Sequence, residues 1–469
     1  MAQAPPQATT APSNGAGATA GAAPPELSGA QPLVGHLREF QREPVAMLRR
    51  AAHDHGDLVR FRLGPRQFVI FSGPEAHDAY FRAPETQLSA KDVYQFTVPI
   101  FGRGVAYDVS TELMDEQLGF LYPALRESMM ETFPPVMFEE TCRLADALGA
   151  EGEIDLPRAM NALTVRIASR CLIGQEVRDL VDEGFADAYH DLQNGINTLG
   201  FFFPRLPTAA HRSRDRARRQ IAAMFERVMS ERRRAGVEPD DFMQTLMGAR
   251  YSDGRRLNDE EIAGILLTVL FAGQHTSAVL ATWIGLELAH HGPYADRIRT
   301  ESAEVYGDSG TVSLAGLSRQ AVLENAVREC ERLHPPLILL IRKVLAPLRY
   351  RDRVVPARAM AMVSPAASHR LPEVFSDPDR FNPDRFAPPA QEDKQHTYAL
   401  IGFGGGKHRC MGKRFAYLQL KAIWTVLLDR FDFEATTPVP APHYGSWVTG
   451  PTEPCRLGYR RRPQPTALR

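Results

Sequence analysis

The chain of 469 residues holds only five cysteines, Cys142, Cys171, Cys330, Cys410 and Cys455, and none stands in a CxxC pair. Thiolate zinc sites and iron–sulfur clusters need closely spaced ligands, so neither is encoded, and scattered thiols point to a reducing compartment. An excess of one charge is missing as well, with 55 Lys and Arg against 56 Asp and Glu. Such balance leaves no electrostatic footprint for a nucleic acid. Apolar runs are short: stretches such as Ile262 to Gly273 fall below the ~20 residues that span a bilayer, so no transmembrane anchor is expected. The N-terminus lacks the charged start and apolar run of a secretory signal, and the expectation is a cytoplasmic protein.

What is present divides unevenly. Residues 1–30 are rich in Ala, Pro, Gly, Ser and Thr and cannot bury enough apolar surface to order themselves, which predicts a disordered leader before a single domain over 31–469. Leu58 to Leu63 and Gln67 to Phe71 flank Gly64, Pro65 and Arg66, the pattern of a β-hairpin. Beyond it, long amphipathic segments run from about Met114 to Leu333, so most of the chain is expected to be helical. The Arg-rich stretch from Arg212 to Arg234 reads as a solvated helix face. Pro-rich coil occupies Pro365 to Pro389, and Met411 to Leu428 sets Phe415, Leu418, Ala422, Ile423, Val426 and Leu427 on one helical face.

The strongest chemical signal is Cys410, within Phe403, Gly404, Gly405, Gly406, Lys407, His408, Arg409, Cys410, Met411 and Gly412. A lone cysteine reads as a buried free thiol. Here three glycines permit close backbone approach, so that N–H groups can stabilise a thiolate, and Phe403 can shield the sulfur from water. The complete spacing resembles the haem-ligand loop of cytochrome P450 enzymes. That resemblance implies a mainly α fold with small β-sheets, a triangular helical prism holding haem b between a long central helix and the helix after the cysteine loop. Cys410 would be the axial iron ligand.

Two further segments belong with it. Glu329 and Arg332 share a helix face at spacing three, and Pro335 and Pro336 end that helix. Pairs of this kind are usually solvated and weak. In P450 enzymes they join an arginine of a segment like Phe381 to Phe386, here Arg385, to support the cysteine loop. The stretch Leu257 to Ser277 opens with an Asn258 cap and Glu261 three residues later, then runs apolar as a long buried helix. Gly273 inside it costs about 1 kcal/mol relative to Ala. The resemblance implies a local opening of the helix there, with the hydroxyl of Thr276 relaying protons that oxygen activation consumes. His275 stands where most P450 enzymes carry an acid. A lone helical histidine is commonly a core residue, but its usual pKa also suits proton transfer near neutrality.

Ala272, Gly273, Gln274, His275, Thr276 and Ser277 are similar to the sterol 14α-demethylase branch, and Tyr94 to Asp108 is similar to that branch's other signature. This implies oxidative removal of a sterol 14α-methyl group with O2 as co-substrate. Tyr94, Arg342 and His408 would meet the haem propionates, while Phe96, Phe101, Ala272 and Leu337 would line an apolar substrate cavity. Three departures stand out. Gln193 occupies the place of a carboxylate that would pair with His275, unless Asp191 substitutes. Trp447 replaces a smaller residue near the substrate, and Asp115 to Phe120 lacks an expected basic residue. Nothing after Cys410 could bind a flavin, so electrons from NAD(P)H are expected through a separate ferredoxin or flavodoxin with its reductase. Lys407, Arg409, Lys413, Arg414 and Lys421 form a candidate docking patch for such an acidic donor. A monomer is expected. Rival readings are a P450 oxidising another polycyclic terpenoid or lipid, and a non-catalytic haem-binding sensor or carrier.

Overall fold

The computed structural model describes residues 21–196, 200–201, 203–307, 310–463 and 468. The hairpin forms as expected from β1 (Leu58–Leu63) and β2 (Arg66–Phe71), antiparallel with Leu58 opposite Phe71 and Leu63 opposite Arg66. In chain order there follow α1 (Pro74–Arg82), β3 (Leu88–Ser89), α2 (Val98–Phe101), α3 (Thr111–Gly119), α4 (Glu127–Ala147) and α5 (Leu156–Leu172). Next come α6 (Glu183–Asn194), α7 (Ala209–Ala235), α8 (Asp259–His290), α9 (Ala321–Leu333), β4 (Leu340–Val344), β5 (Met360–Val363) and α10 (Lys413–Arg430). The sheet order is β1-β2-β5-β4-β3, with β2 and β5 parallel and the other pairs antiparallel.

Of the expected leader, residues 1–20 lie outside the described residues, while 21–30 are held against the sheet. Leu27 donates its N–H to Arg60 O at 2.9 Å, Arg60 donates to Pro25 O at 2.8 Å, and the Leu27 side chain is buried. A composition that cannot fold alone is ordered here by backbone groups on the open side of β1.

α8 begins where the sequence predicts. Asn258 Oδ1 accepts from Glu261 N at 2.8 Å, and Glu261 Oε2 accepts from Asn258 N at 2.9 Å, the reciprocal capping box. The helix runs 32 residues and is apolar on nearly all sides, because it is packed between α5, α10 and α7 as the core of the molecule. By length and composition it could cross a membrane, contrary to the short-run expectation; most of it is buried inside the protein. The helix is continuous through Gly273. A Cβ at 273 would lie 3.2 Å from Leu172 Cδ1, so the glycine serves close approach to α5.

The arginine run on α7 is only partly a solvated face. Arg214 and Arg232 are buried, and Arg232 Nη2 and Nε donate to the two carboxylate oxygens of Glu176 at 2.7 and 3.0 Å.

Candidate active site

The cysteine loop leaves the Pro-rich coil and ends on α10. Gly404 and Gly406 have φ of +69° and +62°, and a Cβ on Gly405 would lie 2.6 Å from Tyr398 and 2.8 Å from Phe81. These positions therefore require glycine, both for conformation and for space. Cys410 N donates to Phe403 O at 2.9 Å, which closes the loop. The Cys410 sulfur opens on a cavity of about 360 Å³ that runs to α8. Burial pushes its pKa up, with the N–H groups of Gly412 and Lys413 opposing and the nearby Glu331 adding to the rise. Glu331 is itself buried and held above the ordinary carboxylate range by burial, despite Lys413 and a hydrogen bond from Tyr417.

Behind the loop, Arg332 uses all five of its N–H donors. Nε and Nη2 donate to Glu329 at 2.7 and 2.9 Å, and the remaining bonds reach His369 O, Pro378 O and Arg380 O. Arg385 Nε donates to Glu329 Oε1 at 3.1 Å, and Asn382 N donates to the same oxygen at 2.7 Å. All three charged side chains are fully buried. His369 completes the link. Ile401 N donates to its Nε2 at 2.9 Å, so Nδ1–H donates to Arg332 O at 3.1 Å. Burial holds this histidine well below its ordinary pKa, hence neutral, as that bonding pattern requires. His369 is thus the joint between α9 and the coil that enters the cysteine loop. Nothing local in the sequence marks it.

Tyr94, Phe96, Phe101, Ala272, Thr276, Leu337, Arg342, His408 and Trp447 all line the Cys410 cavity, gathered from five separate stretches of chain. Arg342 is buried, with Nη1 donating to Tyr80 O at 3.2 Å and the guanidinium 4.7 Å from the Tyr80 ring centroid. No carboxylate forms an ion pair with it among the described residues. A buried cation facing an apolar cavity in this way asks for an anion. His408 Nε2 contacts Glu85 Oε1; burial tends to raise the Glu85 pKa, but the His408 contact outweighs it and holds the carboxyl low. Tyr94 stacks on Tyr107 at 5.1 Å, and burial raises the pKa of both. A central thiol, an unanswered arginine and a glycine loop under an apolar chamber fit a flat, doubly carboxylated macrocycle such as haem.

On the α8 side the outcome is mixed. Thr276 faces the cavity, its Oγ1 donating to Ala272 O at 2.9 Å. His275 does not line the cavity, contrary to the expected relay. Successive helical residues point about 100° apart, and this side chain turns toward α6. There burial, reinforced by the like charge of His190, lowers its pKa to about 4, and Nδ1 is buried without a hydrogen-bond partner among the described residues. Neither Gln193 nor Asp191 bonds to it among the described residues. Gln193 Nε2 instead donates to Gln274 Oε1 at 3.3 Å, and Gln274 Nε2 reaches Asn161 Oδ1 and Thr164 Oγ1 at 3.0 and 3.2 Å. This buried amide network escaped sequence reasoning, since Gln274 within an apolar helix carries no periodic signal.

Trp447 packs on Phe96 and Tyr94, with ring centroids 4.8 and 5.7 Å apart. With Ile196 and Ile341 it also lines a second apolar cavity of about 360 Å³, reaching Phe40, Phe68 and Tyr444. The stretch 115–120 supplies no cation: Gln117 braces the loop before α3 through Gly104 O at 2.8 Å, and Asp115 accepts from Lys407 at 2.7 Å. The basic patch is largely neutralised. Lys407, Lys413, Arg414 and Lys421 lie beside Asp115, Glu331, Glu127 and Glu324 respectively, and Arg409 forms no ion pair among the described residues.

A cysteine loop buttressed by a buried Glu–Arg–Arg cross-link and facing a long central helix defines the class of haem-thiolate proteins. The chain belongs to the cytochrome P450 family, whose model matches residues 24–455. It is similar to the sterol 14-demethylase of Arabidopsis thaliana, at 37% identity over 94% of this chain and 91% of the relative. The sterol 14alpha-demethylase of Mycobacterium tuberculosis is 36% identical over 93% of this chain and 98% of its own length. The lanosterol 14-alpha demethylase of Bos taurus is 33% identical over 95% and 89%. In fold it matches the structure titled retinoic acid bound cyanobacterial CYP120A1, with a TM-score of 0.84 at 21% identity, covering 94% of this chain and all of the other. The protein is a cytochrome P450 monooxygenase.

Proposed function

We propose that this monooxygenase removes the 14α-methyl group of a sterol precursor by successive oxidations. The observation that carries the reading is the meeting of both signature stretches, through Phe96 and Phe101 and through Ala272 and Thr276, on a cavity that Cys410 also lines. The names of the relatives support the same substrate class. Haem b would supply the oxygen-activating chemistry, held by Cys410, with Tyr94, Arg342 and His408 at its carboxylates. The cavity wall is mainly apolar and aromatic, which suits a rigid hydrocarbon body whose affinity comes from buried area. Thr276 can turn its hydroxyl away from Ala272 O to hold or pass a proton at Oγ1. Neutral His275, facing α6, keeps charge away from that wall.

Electrons would arrive from a separate ferredoxin or flavodoxin, whose acidic surface exchanges partners with the exposed Lys407–Asp115 and Arg414–Glu127 pairs near Arg409 at little cost. Five unpaired thiols accord with a reducing, cytoplasmic setting.

Trp447 favours a second reading. Its indole closes the chamber that a smaller residue would join to the second cavity, so a different polycyclic terpenoid is the alternative substrate. Spectral titration with lanosterol and obtusifoliol, followed by product analysis with a reconstituted donor, tests the choice. Tight binding with a 14-demethylated sterol and formate as products supports the first reading. Binding without demethylation, alongside turnover of another terpenoid, overturns it in favour of the second.

A further inference from the structure

Away from Cys410, a polar cavity of about 490 Å³ lies between the end of α2 and the start of α7. Arg103, Arg205, Arg212, Arg218, Arg219 and His211 face it. Two carboxylates share the wall. Asp215 is engaged by Arg214, whose Nε donates to Oδ1 at 2.8 Å. Glu260 is exposed, and its Oε1 stands 3.5 Å from Arg218 Nη2, longer than a good hydrogen bond. Arg103, Arg205 and Arg219 form no ion pair among the described residues, so the positive charge is largely unanswered.

Two groups inside are orphaned. Among the described residues Nε and Nη2 of Arg218 are buried with no hydrogen-bond partner, and the guanidinium is pressed so closely on Gly102 that a Cβ there would collide with it. His211 is 2% exposed; its Nδ1–H donates to Leu206 O at 2.6 Å, and its Nε2 has no partner among the described residues. Leaving the buried Arg218 N–H groups unbonded is unfavourable unless a ligand completes them; with Nδ1–H donating to Leu206 O, the neutral His211 ring offers Nε2 as an acceptor, which a protonated phosphate oxygen would satisfy. A planar fork of N–H groups matches the oxygens of a tetrahedral oxyanion at two points, and additional arginines at the rim suit more than one negative charge.

We propose that this cavity binds the phosphate group of a ligand, with Arg218 and His211 at its base and Arg205, Arg212 and Arg219 at its mouth. Leu206, 46% exposed, lines it, and its N–H donates to the carbonyl of Phe203, which is 61% exposed. A phospholipid headgroup and a soluble phosphate ester present the same oxyanion chemistry. Occupancy would tie α7 to α2, whose Phe101 faces the reactive cavity, so the site is placed to stiffen that wall.

Thermal unfolding of the haem-loaded protein in inorganic phosphate, against sodium chloride at matched ionic strength, provides one arm. Co-sedimentation with vesicles of phosphatidylcholine alone, or mixed with phosphatidylglycerol, provides the other. A saturable rise in Tm with phosphate, or selective binding to the anionic vesicles, is expected; the first alone identifies a soluble phosphate ligand and the second a headgroup. Arg218→Gln should weaken the response about tenfold, the loss of one two-point charged contact. The exposed pair Arg205→Gln and Arg219→Gln should weaken it too without endangering the fold, while Arg216→Gln, which lies outside the cavity, should not. Equal responses to phosphate and chloride together with no preference for anionic vesicles, or a rim double variant that behaves as the unaltered protein, would overturn the proposal.

Discussion

The two faces of the Cys410 cavity treat polar groups in opposite ways. Below the sulfur, Arg332 spends every donor, Glu329 is shared between two arginines, and His369 is bonded at both ring nitrogens. Above it on α8, Thr276 bonds back to Ala272 O of its own helix, and behind that wall His275 Nδ1 has no partner among the described residues. The first pattern is that of a frame, where a lost contact strands a buried charge. The second leaves hydroxyl capacity free to serve substrate and oxygen, and so the same cavity has a rigid floor and a wall with spare valences.

Variants on the two faces should separate accordingly. Cys410→Ala should reduce turnover to background and erase the thiolate signature in the CO difference spectrum of the reduced protein; a surviving signature would dismiss Cys410 as the ligand. Glu329→Gln leaves two buried arginines under-compensated and should cost about 3–5 kcal/mol, with loss of bound haem. Denaturant titration measures this, and a loss below about 1 kcal/mol would show that the floor is not a frame.

Acidification probes the α8 side. A histidine whose pKa is about 4 when folded and near 6.5 when unfolded takes up a proton on unfolding between those values. Its contribution is therefore complete above pH ~6.5 and disappears as pH falls toward 4, a change of up to about 3 kcal/mol. His275→Gln should flatten that limb of the Tm against pH curve relative to the parent, while buried His77, also near 4, continues to act in both proteins. Parallel curves would mean that His275 is solvated. Finally, Thr276→Ala should leave folding within about 0.5 kcal/mol and shift electron use from product to peroxide. Unchanged coupling would take Thr276 out of proton handling.

Local spacing made part of this legible. The hairpin, the Asn258–Glu261 cap, the glycine loop around Cys410 and the i, i+3 pair Glu329–Arg332 are short-range patterns, and short-range geometry follows from them. Features set by distant chain were not legible. An α8 apolar on every side gives no phase, so the turn of His275 away from the cavity, the amide network of Gln274 and the packing of Gly273 on Leu172 could not be read. The same holds for His369, whose two partners lie 37 positions upstream and 32 downstream. The buried arginines of α7 were hidden by the exposed ones around them.

The ordered stretch from residue 21 to 30 carries one more consequence. By lending backbone partners to Arg60 and filling a niche with Leu27, it acts as a selvedge that keeps the outermost strand from fraying into a template for a neighbouring copy. Shortening the protein to begin at residue 31 should therefore show itself first as self-association in size-exclusion chromatography, well before any loss of haem.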